Sequence, residues 1–396
     1  MAKTRKKEQH IAVFGESGSG KTILISSFFG ATQEPAYIAK HRFNVVANDV
    51  GQGSKLLQNY YKMRNSAQVP AANKLRAHTY EFTIKPRNPP SAKEKKTLPF
   101  DELGLVWHDY PGEWFESGVS GPEEAKRRIE TFRSLLVSDV ALLLIDGQKL
   151  ADNAGEEERY LKTLFGSFSN TLNALKGELL TNGEPLSLFP RIWILALSKA
   201  DVLPGMSTQD LQQLVTEQAA GHLDSLRTTI KSYVKDPDAV AVGEDLLILS
   251  SAKFEPGTID VSERIGVDLI MPIAAVLPLE RFMRWAKLKD KPAKWLTMVL
   301  DKGDGFGAAA VGAILLGATF IQKAKLPGPL AWAPAAIAMF VTKDNIDKAL
   351  SAVDKKLREA HEQAVLNQQE LTAILTRFRI DLEEAEDRKV LSRSLR

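Results

Sequence analysis

The segment that most constrains the fold is Gly15–Thr22, whose residues GESGSGKT fit the pattern G-x-x-x-x-G-K-[ST]. The apolar run IAVF precedes this segment and the run ILISSFF follows it, as a strand and a helix would. Glycines let backbone N–H groups surround phosphate oxygens without a Cβ in the way, and the start of a helix adds partial positive charge. The sequence therefore predicts a strand, a phosphate-binding loop and a helix in direct succession.

The loop supplies the first set of candidate binding residues. Lys21 is placed to reach the β- and γ-phosphates of a nucleotide, and the Thr22 hydroxyl is placed to bind Mg²⁺. The predicted binding residues of this unit are Gly15, Gly18, Ser19, Gly20, Lys21, Thr22 and Ile23.

A second motif, Asp109-Tyr110-Pro111-Gly112-Glu113, follows the strand candidate Gly104–His108. Its D-x-x-G spacing puts the Asp109 carboxylate at the tip of a strand, where it can hold Mg²⁺ directly or through water. The Gly112 N–H would then meet the γ-phosphate and sense its loss on hydrolysis. The predicted metal ligands are Thr22 and Asp109, and the predicted catalytic residues are Lys21, Asp109, Gly112 and Glu113.

Two later segments address the base of the nucleotide. Ser198-Lys199-Ala200-Asp201 follows the apolar run IWILAL and resembles the N/T-K-x-D signature of GTPases, with Ser in place of Asn or Thr. An aspartate there accepts hydrogen bonds from guanine N1–H and the amino group, which adenine does not offer. Ser250-Ser251-Ala252-Lys253 resembles the S-A-K element, whose backbone contacts guanine O6. These segments favour guanine, with adenine left open, and give the base residues Ser198, Lys199, Asp201, Ser251, Ala252 and Lys253.

Strand-like runs alternate with helical stretches, which predicts an α/β fold with a mostly parallel sheet. The candidate strands are His10–Phe14, Thr79–Ile84, Gly104–His108, Val140–Ile145, Arg191–Leu197 and Leu246–Leu249. The predicted organisation is a basic arm at 1–8, a nucleotide-binding domain at 9–260 with an insert at 30–78, an apolar helical region at 261–342 and a long amphipathic helix at 343–396. Within the insert, Gly53–Met63 is a candidate helix.

Composition excludes several classes of protein. The net charge of +3 lacks the basic excess of a dedicated nucleic-acid binder, so no nucleic-acid partner is expected. The absence of cysteine excludes a disulfide scaffold, a Cys-ligated metal site and a thiol nucleophile. The first ten residues lack the apolar core of a secretory signal. We therefore expect a cytoplasmic protein, either free or peripheral on the inner face of a membrane.

Residues 306–342 hold two uncharged runs, Phe306–Gln322 and Leu326–Thr342, separated by a short basic stretch. Each run is at the short limit for a hydrocarbon core of about 30 Å, and the second contains three prolines. The segment fits a hairpin that inserts into a membrane and equally fits a helical hairpin buried within the protein.

The C-terminal stretch carries an apolar stripe with steps of three and four residues, as in a heptad seam. Its members are Ile346, Leu350, Val353, Leu357, Ala360, Ala364, Leu371, Leu375, Phe378, Leu382 and Ala385, with polar Gln368 in one stripe position. The stripe can pack on the chain's own helices, or it can form a coiled coil with a protein partner or a second copy through 343–390.

The order of these motifs resembles the TRAFAC class of P-loop GTPases, which includes the Ras-like proteins. The DYPGEW stretch at Asp109–Trp114 is similar to YcjX-like bacterial proteins and to the double-GTPase proteins of bacterial conflict systems. The resemblance implies a Ras-like three-layer domain and a magnesium-dependent switch that binds GTP, hydrolyses it to GDP and drives a helical C-terminal module facing a membrane or a partner. Two other readings are an ATP-hydrolysing enzyme and a nucleotide-binding interaction protein with negligible turnover.

The sequence departs from the Ras-like pattern at two points. Glu113 stands where a water-orienting glutamine is usual, and the Mg²⁺-binding threonine of the first switch has no clear position among Thr32, Asn73 and Thr79. Slow hydrolysis, with an arginine from a partner, follows as an expectation. His108 is expected to be a packed residue of the sheet, and Arg127, Arg128 and Arg133 are expected on a solvated helix face.

Overall fold

The computed structural model describes residues 6–70, 77–89, 102–109, 111–115, 121–136, 138–180, 183–185, 191–288 and 357–394. The strands of this part are β1 Lys6–Phe14, β2 Phe43–Ala47, β3 His78–Pro86, β4 Glu102–Asp109, β5 Val140–Asp146, β6 Arg191–Ser198, β7 Val240–Ile248, β8 Lys253–Glu255, β9 Thr258–Asp260 and β10 Leu391–Ser392. The helices are α1 Lys21–Thr32, α2 Pro35–Lys40, α3 Val50–Ser66, α4 Pro122–Leu136, α5 Gly147–Asp152, α6 Glu157–Leu179, α7 Thr208–Lys231, α8 Ile270–Leu288 and α9 Glu370–Asp387. Residues 357–366 are also helical.

Eight strands form one sheet in the order β10-β7-β6-β5-β1-β4-β3-β2. The five strands from β7 to β4 run parallel, whereas β3, β2 and β10 are antiparallel to their neighbours. The predicted α/β fold with a mostly parallel sheet is confirmed. Five of the six candidate strands lie within observed ones, and the sixth, Leu246–Leu249, extends one residue beyond the end of β7. The carboxyl ends of the parallel strands meet at one edge of the sheet, which is where open α/β sheets bind ligands.

The sheet is covered on both faces because each of its central strands contains a continuous apolar run. In β1, Ile11 and Val13 belong to the core cluster on one face, and Ala12 and Phe14 belong to the cluster on the other. The first cluster includes residues of α1, α3, α8 and α9, and the second includes residues of α4, α6 and α7. Alternation of side chains along a strand thus produces the predicted three-layer arrangement.

The insert at 30–78 has its own structure. The candidate helix is present as α3, which is longer than predicted and begins where the Asp49 carboxylate accepts the Gln52 N–H at 2.7 Å. The strand β2, which lies at the edge of the sheet and pairs with β3, is not among the predicted strands. A Cβ on Gly30 would lie 2.1 Å from Cγ of Tyr60, so this glycine allows α1 and α3 to pack closely.

The predicted basic arm at 1–8 is shortened by the structure. The first strand begins at Lys6, and the segment Lys6–Glu8 pairs in register with Glu102–Gly104 of β4. Pairing with β4 therefore places these last three residues of the predicted arm in the sheet.

The prediction of one long helix over 343–396 is wrong in the described residues. The helix over 357–366 ends at Gln368, whose backbone is left-handed at φ 54°, and the Gln369 N–H donates to the Ala364 carbonyl at 2.8 Å. This is the hydrogen bond of a Schellman cap, and it separates the helix from α9. After α9, Lys389 is left-handed at φ 58°, and the chain turns into β10.

The apolar stripe of α9 is buried within the chain itself. Its apolar side chains Leu371, Ile374, Leu375, Phe378, Leu382 and Ala385 belong to the core cluster that includes α8 and one face of the sheet. Because these side chains already have partners in the same chain, this part of 343–390 does not form the coiled coil that was the alternative prediction.

The segment 306–342, with its two uncharged runs, lies outside the described residues. Within the described part of the chain, the helices lack the combination of length and apolar character needed to cross a bilayer.

Candidate functional site

The predicted phosphate-binding loop connects β1 to α1 at the carboxyl edge of the sheet. Gly18 and Gly20 have positive φ values of 78° and 92°, a backbone conformation that residues other than glycine rarely adopt. A Cβ on either residue would meet nothing within 4 Å, so the space in front of the loop is open. Gly20 is also the N-cap of α1, which directs the positive end of the helix toward this space.

Lys21 is the first residue of α1, and its ammonium lies over the loop. Its Nζ donates to the carbonyls of Gly15 at 2.7 Å and Glu16 at 2.9 Å. The side chain is buried, with 7% exposed, so its charge is concentrated at the loop. Thr22 follows it and is partly exposed.

The D-x-x-G turn packs directly on this loop. Asp109 ends β4 beside Val13 of β1 and is buried, with 2% exposed. A Cβ on Gly112 would lie 2.3 Å from the backbone nitrogen of Ser17, so only a glycine fits against the loop there. Glu113 follows in a short 3-10 turn, Gly112–Phe115.

The donor chemistry at this edge fits Mg²⁺. Thr22 offers a hydroxyl oxygen and Asp109 offers a carboxylate, and both are hard oxygen donors. Mg²⁺ typically uses one or two protein oxygens and completes its shell with waters and phosphate oxygens. Two protein donors beside a phosphate-binding loop are therefore sufficient.

A cavity of about 310 Å³ lies between the loop and the two segments that were predicted to bind the base. Of the predicted residues, its lining includes Gly18, Ser19, Gly20, Ile23, Ser198, Lys199, Asp201 and Ser251. Predicted residues that the lining does not include are Gly15, Lys21, Thr22, Asp109, Gly112, Glu113, Ala252 and Lys253. The exposed Lys253 ammonium lies 3.0 Å from Glu255, and Ala252 is fully buried.

The Asp201 carboxylate is held from both sides at the cavity wall. Ser250 Oγ lies 2.6 Å from one carboxylate oxygen, and the Phe254 N–H donates to the other at 3.2 Å. The Ala200 N–H donates to the Leu249 carbonyl at 3.0 Å, so the two base segments are also joined through the backbone. On the phosphate side, Ser27 of α1 donates to the Ser251 carbonyl at 2.5 Å.

Lys199 is fixed by Asp146, which is not among the predicted site residues. Its Nζ lies 2.7 Å from Oδ2 of Asp146, the last residue of β5, and Asp146 is 2% exposed. Ser250, Phe254, Gln148 and Val69 also contribute to the cavity and were not predicted. The sequence nevertheless contains a pattern that indicates Asp146 as a site residue. It directly follows the candidate strand Val140–Ile145, just as Asp109 follows the candidate strand Gly104–His108.

None of the candidates for the switch threonine reaches the cavity in the described residues. Thr32 donates to the Phe29 carbonyl within α1, and Thr79 lies on β3 with its hydroxyl 3.4 Å from Nδ1 of His108. Asn73 lies outside the described residues.

His108 is a packed residue of the sheet, as predicted. Its Nε2 lies 3.1 Å from Nδ1 of His10, and burial, together with the neighbouring imidazole of His10, lowers the pKa of His108 to about 4. Arg128, in contrast, does not lie on a solvated face: it is buried, donates to the Trp114 carbonyl at 3.1 Å and pairs with Glu124. Its guanidinium thereby secures the turn that follows Gly112.

The profile of the Double-GTPase 2 family matches residues 9–249. No curated protein matches the chain.

Among solved structures, the putative nucleolar GTP-binding protein 1 of Plasmodium falciparum is 14% identical, with 75% of this chain and 98% of that chain covered and a TM-score of 0.31. Aquifex aeolicus Era bound to GDP and AlF4⁻ is 14% identical, with 62% and 52% covered and a TM-score of 0.27, so the match spans about half of Era. The signal recognition particle receptor SRb-GTP/SRX complex of Chaetomium thermophilum is 15% identical, with 63% and 93% covered and a TM-score of 0.30. Because the family profile runs from β1 to the end of β7, more than half of the chain, we conclude that this GTP-binding P-loop protein belongs to the Double-GTPase 2 family.

Proposed function

We propose that the protein is a magnesium-dependent guanine-nucleotide switch that hydrolyses GTP to GDP. The observation that carries the proposal is the Asp201 carboxylate, which is fixed by Ser250 and Phe254 at the wall of a cavity that begins at the phosphate-binding loop. A fixed carboxylate is an acceptor and therefore selects a base that presents two donors on one edge, as guanine does.

In this proposal the base lies between Lys199 and the Ser251–Ala252 backbone. The carboxylate of Asp201 has about four acceptor positions, and its two present contacts leave room for guanine N1–H and the amino group. The Lys199 stem packs on the base, and backbone N–H groups of 251–252 face O6. Ser198 supports the strand end, since its hydroxyl donates to the Ile145 carbonyl at 3.2 Å.

The phosphates would lie on the loop, with Lys21 beside the β- and γ-phosphates. Thr22 and Asp109 would hold Mg²⁺, which when bound neutralises charge on the phosphate oxygens. Gly112 presents its N–H from a turn in contact with the loop. Glu113 carries a negative charge where glutamine is usual, so we infer slow intrinsic hydrolysis, accelerated by an arginine from a partner protein.

The switch is coupled to the C-terminal segment through the strand that carries the second base loop. Ile248 lies two residues before Ser250, and its N–H donates to the Val390 carbonyl at 2.8 Å. The Thr208 N–H donates to the neighbouring Lys389 carbonyl at 3.0 Å. A shift of the base loop would therefore also move β10 and α9.

We propose that the protein is cytoplasmic and that 306–342 contacts a membrane surface or a protein partner. Flotation with liposomes, with and without 306–342, tests the membrane contact.

The deciding experiment is titration of fluorescent GDP and ADP with the wild type and with Asp201→Asn. We expect a preference for GDP that the variant loses, together with a gain in affinity for xanthine nucleotide. Asp224→Asn is the matched control, because Asp224 is exposed on α7 and pairs with Arg227 away from the cavity. Equal binding of ADP, unchanged in Asp201→Asn, would overturn the guanine assignment.

Hydrolysis is tested separately by phosphate release from GTP under single-turnover conditions. We expect slow release that needs Mg²⁺ and falls in Asp109→Asn. Tight GTP binding without release, with or without Mg²⁺, would leave a nucleotide-binding protein and remove the enzymatic part of the proposal.

A further inference from the structure

The Asp146 carboxylate occupies a central position among the residues around the cavity. It is almost fully buried at the end of β5, and Oδ2 accepts from the Lys199 ammonium at 2.7 Å. Its Oδ1 accepts the backbone N–H of Gln148 at 2.9 Å and of Lys149 at 3.4 Å, which caps α5. Its own N–H donates to the Tyr160 hydroxyl at 2.9 Å. Hydrogen bonds thus fix both the backbone and the carboxylate of Asp146.

The backbone of Lys199 is held at the same point. Lys199 has a left-handed backbone with φ 53°, which is unfavourable for a residue with a side chain. A Cβ on Gly147 would lie 2.6 Å from the Ser198 carbonyl oxygen and 2.8 Å from that of Lys199. The start of α5 therefore packs against the peptide of Lys199, while the preceding residue, Asp146, holds the ammonium. The stem between these two points lines the cavity.

The same short helix also contacts the phosphate-binding loop. Nζ of Lys149 lies 2.8 Å from the Glu16 carboxylate, and Gln148 lines the cavity. Asp146 and α5 thus form one ion pair with the base segment and another with the phosphate-binding loop. The pair at Asp146 is the less exposed of the two, and water weakens it less.

From this geometry we propose that Asp146 is a positioning residue for nucleotide binding, acting through Lys199. Without a charged partner, the long Lys199 side chain samples many rotamers and is ordered only when the nucleotide arrives. With Asp146 in place, the stem is already extended along the cavity wall, and binding loses less conformational entropy. The inference rests on the proposed function, since it assigns the Lys199 stem to the base.

The test is a double-mutant cycle on the full chain, read as the dissociation constant for GDP. Asp146→Asn keeps an oxygen that can cap α5 but removes the charge that holds Lys199. We expect Asp146→Asn and Lys199→Met each to weaken GDP binding by about 10- to 100-fold, and the double variant to bind no more weakly than Lys199→Met. Full addition of the two effects would overturn the inference.

The affinity for inorganic tripolyphosphate distinguishes a positioning role of Asp146 from general damage to the fold. It occupies the phosphate-binding loop without a base, so Asp146→Asn should bind it within about twofold of the wild type. An equal loss for tripolyphosphate and GDP would show general damage to the fold and overturn the inference. The matched control is Glu158→Gln, which removes an exposed pair with Lys162 on α6 and should change neither constant.

A second pair of variants covers the case in which Asp146→Asn fails to fold. Lys199→Arg keeps a cation for Asp146, whereas Lys199→Met keeps only an apolar stem. Arginine should retain most of the GDP affinity and methionine should not, and equal affinity of the two would overturn the inference. If the wild type does not prefer GDP over ADP, the proposed function fails, and the same cycle with ADP still decides the role of Asp146.

Discussion

The Arg42 guanidinium, just before β2, donates to both carboxylate oxygens of Glu370, the first residue of α9, at 2.9 and 2.5 Å. The Glu370 side chain is 2% exposed and also accepts from Asn88 at 3.0 Å. Burial alone would raise the pKa of Glu370, but the hydrogen bonds from Arg42 and Asn88 outweigh it and hold the pKa below its usual value. The C-terminal helix is thereby tied to the edge strand of the insert.

Removing this guanidinium should destabilise the protein. Arg42→Ala leaves the buried Glu370 carboxylate without its cation. We expect the free energy of unfolding in urea to fall by about 2 kcal/mol, which is less than for a fully buried pair because Arg42 is partly exposed. Arg64→Ala is the control, since its pair with Glu34 is more exposed, and should cost less than about 1 kcal/mol. Equal losses would contradict the role assigned to Glu370.

The Gly112 backbone should control nucleotide affinity. The methyl group of Gly112→Ala would lie 2.3 Å from the Ser17 nitrogen and must displace the phosphate-binding loop. Such overpacking costs about 1 to 3 kcal/mol, so we expect GDP and GTP to bind about 5- to 150-fold more weakly in a titration. Gly121→Ala should bind as the wild type does, because a Cβ there meets nothing within 4 Å. Wild-type affinity in Gly112→Ala would place the turn away from the loop in solution.

Stability should decrease in mild acid, in part through His41. Its ring stacks on Tyr37 at 3.9 Å, and burial, followed by the charge of Lys40, lowers the pKa of His41 to about 4. The unfolded chain takes up this proton near pH 6.5 and the folded chain only near pH 4, so stability is lost as the pH falls through this window.

Between pH 7 and 5, His41→Gln should lose about 1 kcal/mol less unfolding free energy than the wild type, after discounting for partial exposure. His222→Gln on α7 is the control. Parallel pH profiles of wild type and His41→Gln would refute the assignment.

The cap between the two C-terminal helices should tolerate glycine. Gln368 has φ 54°, a left-handed backbone conformation that is unfavourable for a residue with a Cβ. Gln368→Gly removes this strain and should raise the free energy of unfolding by about 0.5 to 1 kcal/mol. Gln369→Gly, at φ −91°, should be neutral or destabilising. If both changes destabilise equally, 357–387 forms a continuous helix in solution.

Local patterns were enough to predict the parallel core of the fold. The strand, glycine loop and helix around Lys21 are adjacent in sequence, and each central strand contains a continuous apolar run. Burial on both faces of a parallel sheet produces such runs. The two base segments were also recognisable, because each follows such a strand directly.

The features that sequence patterns missed depend on distant partners. The strand β2 has only five residues and is identified by its pairing with β3, and β10 has only two residues and exists because β7 lies beside it. Gln368 has ordinary helix propensity, so the stripe gave no sign of a break there. The role of Asp146 depends on Lys199, which is far away along the chain.

The position of β10 has a consequence for how this protein is made. A ribosome delivers β7 long before Leu391, and during that interval one side of β7 presents an unpaired apolar edge. Such edges template association between chains. The interval thus leaves the nascent chain open to aggregation, and it lasts until translation has passed Ser392.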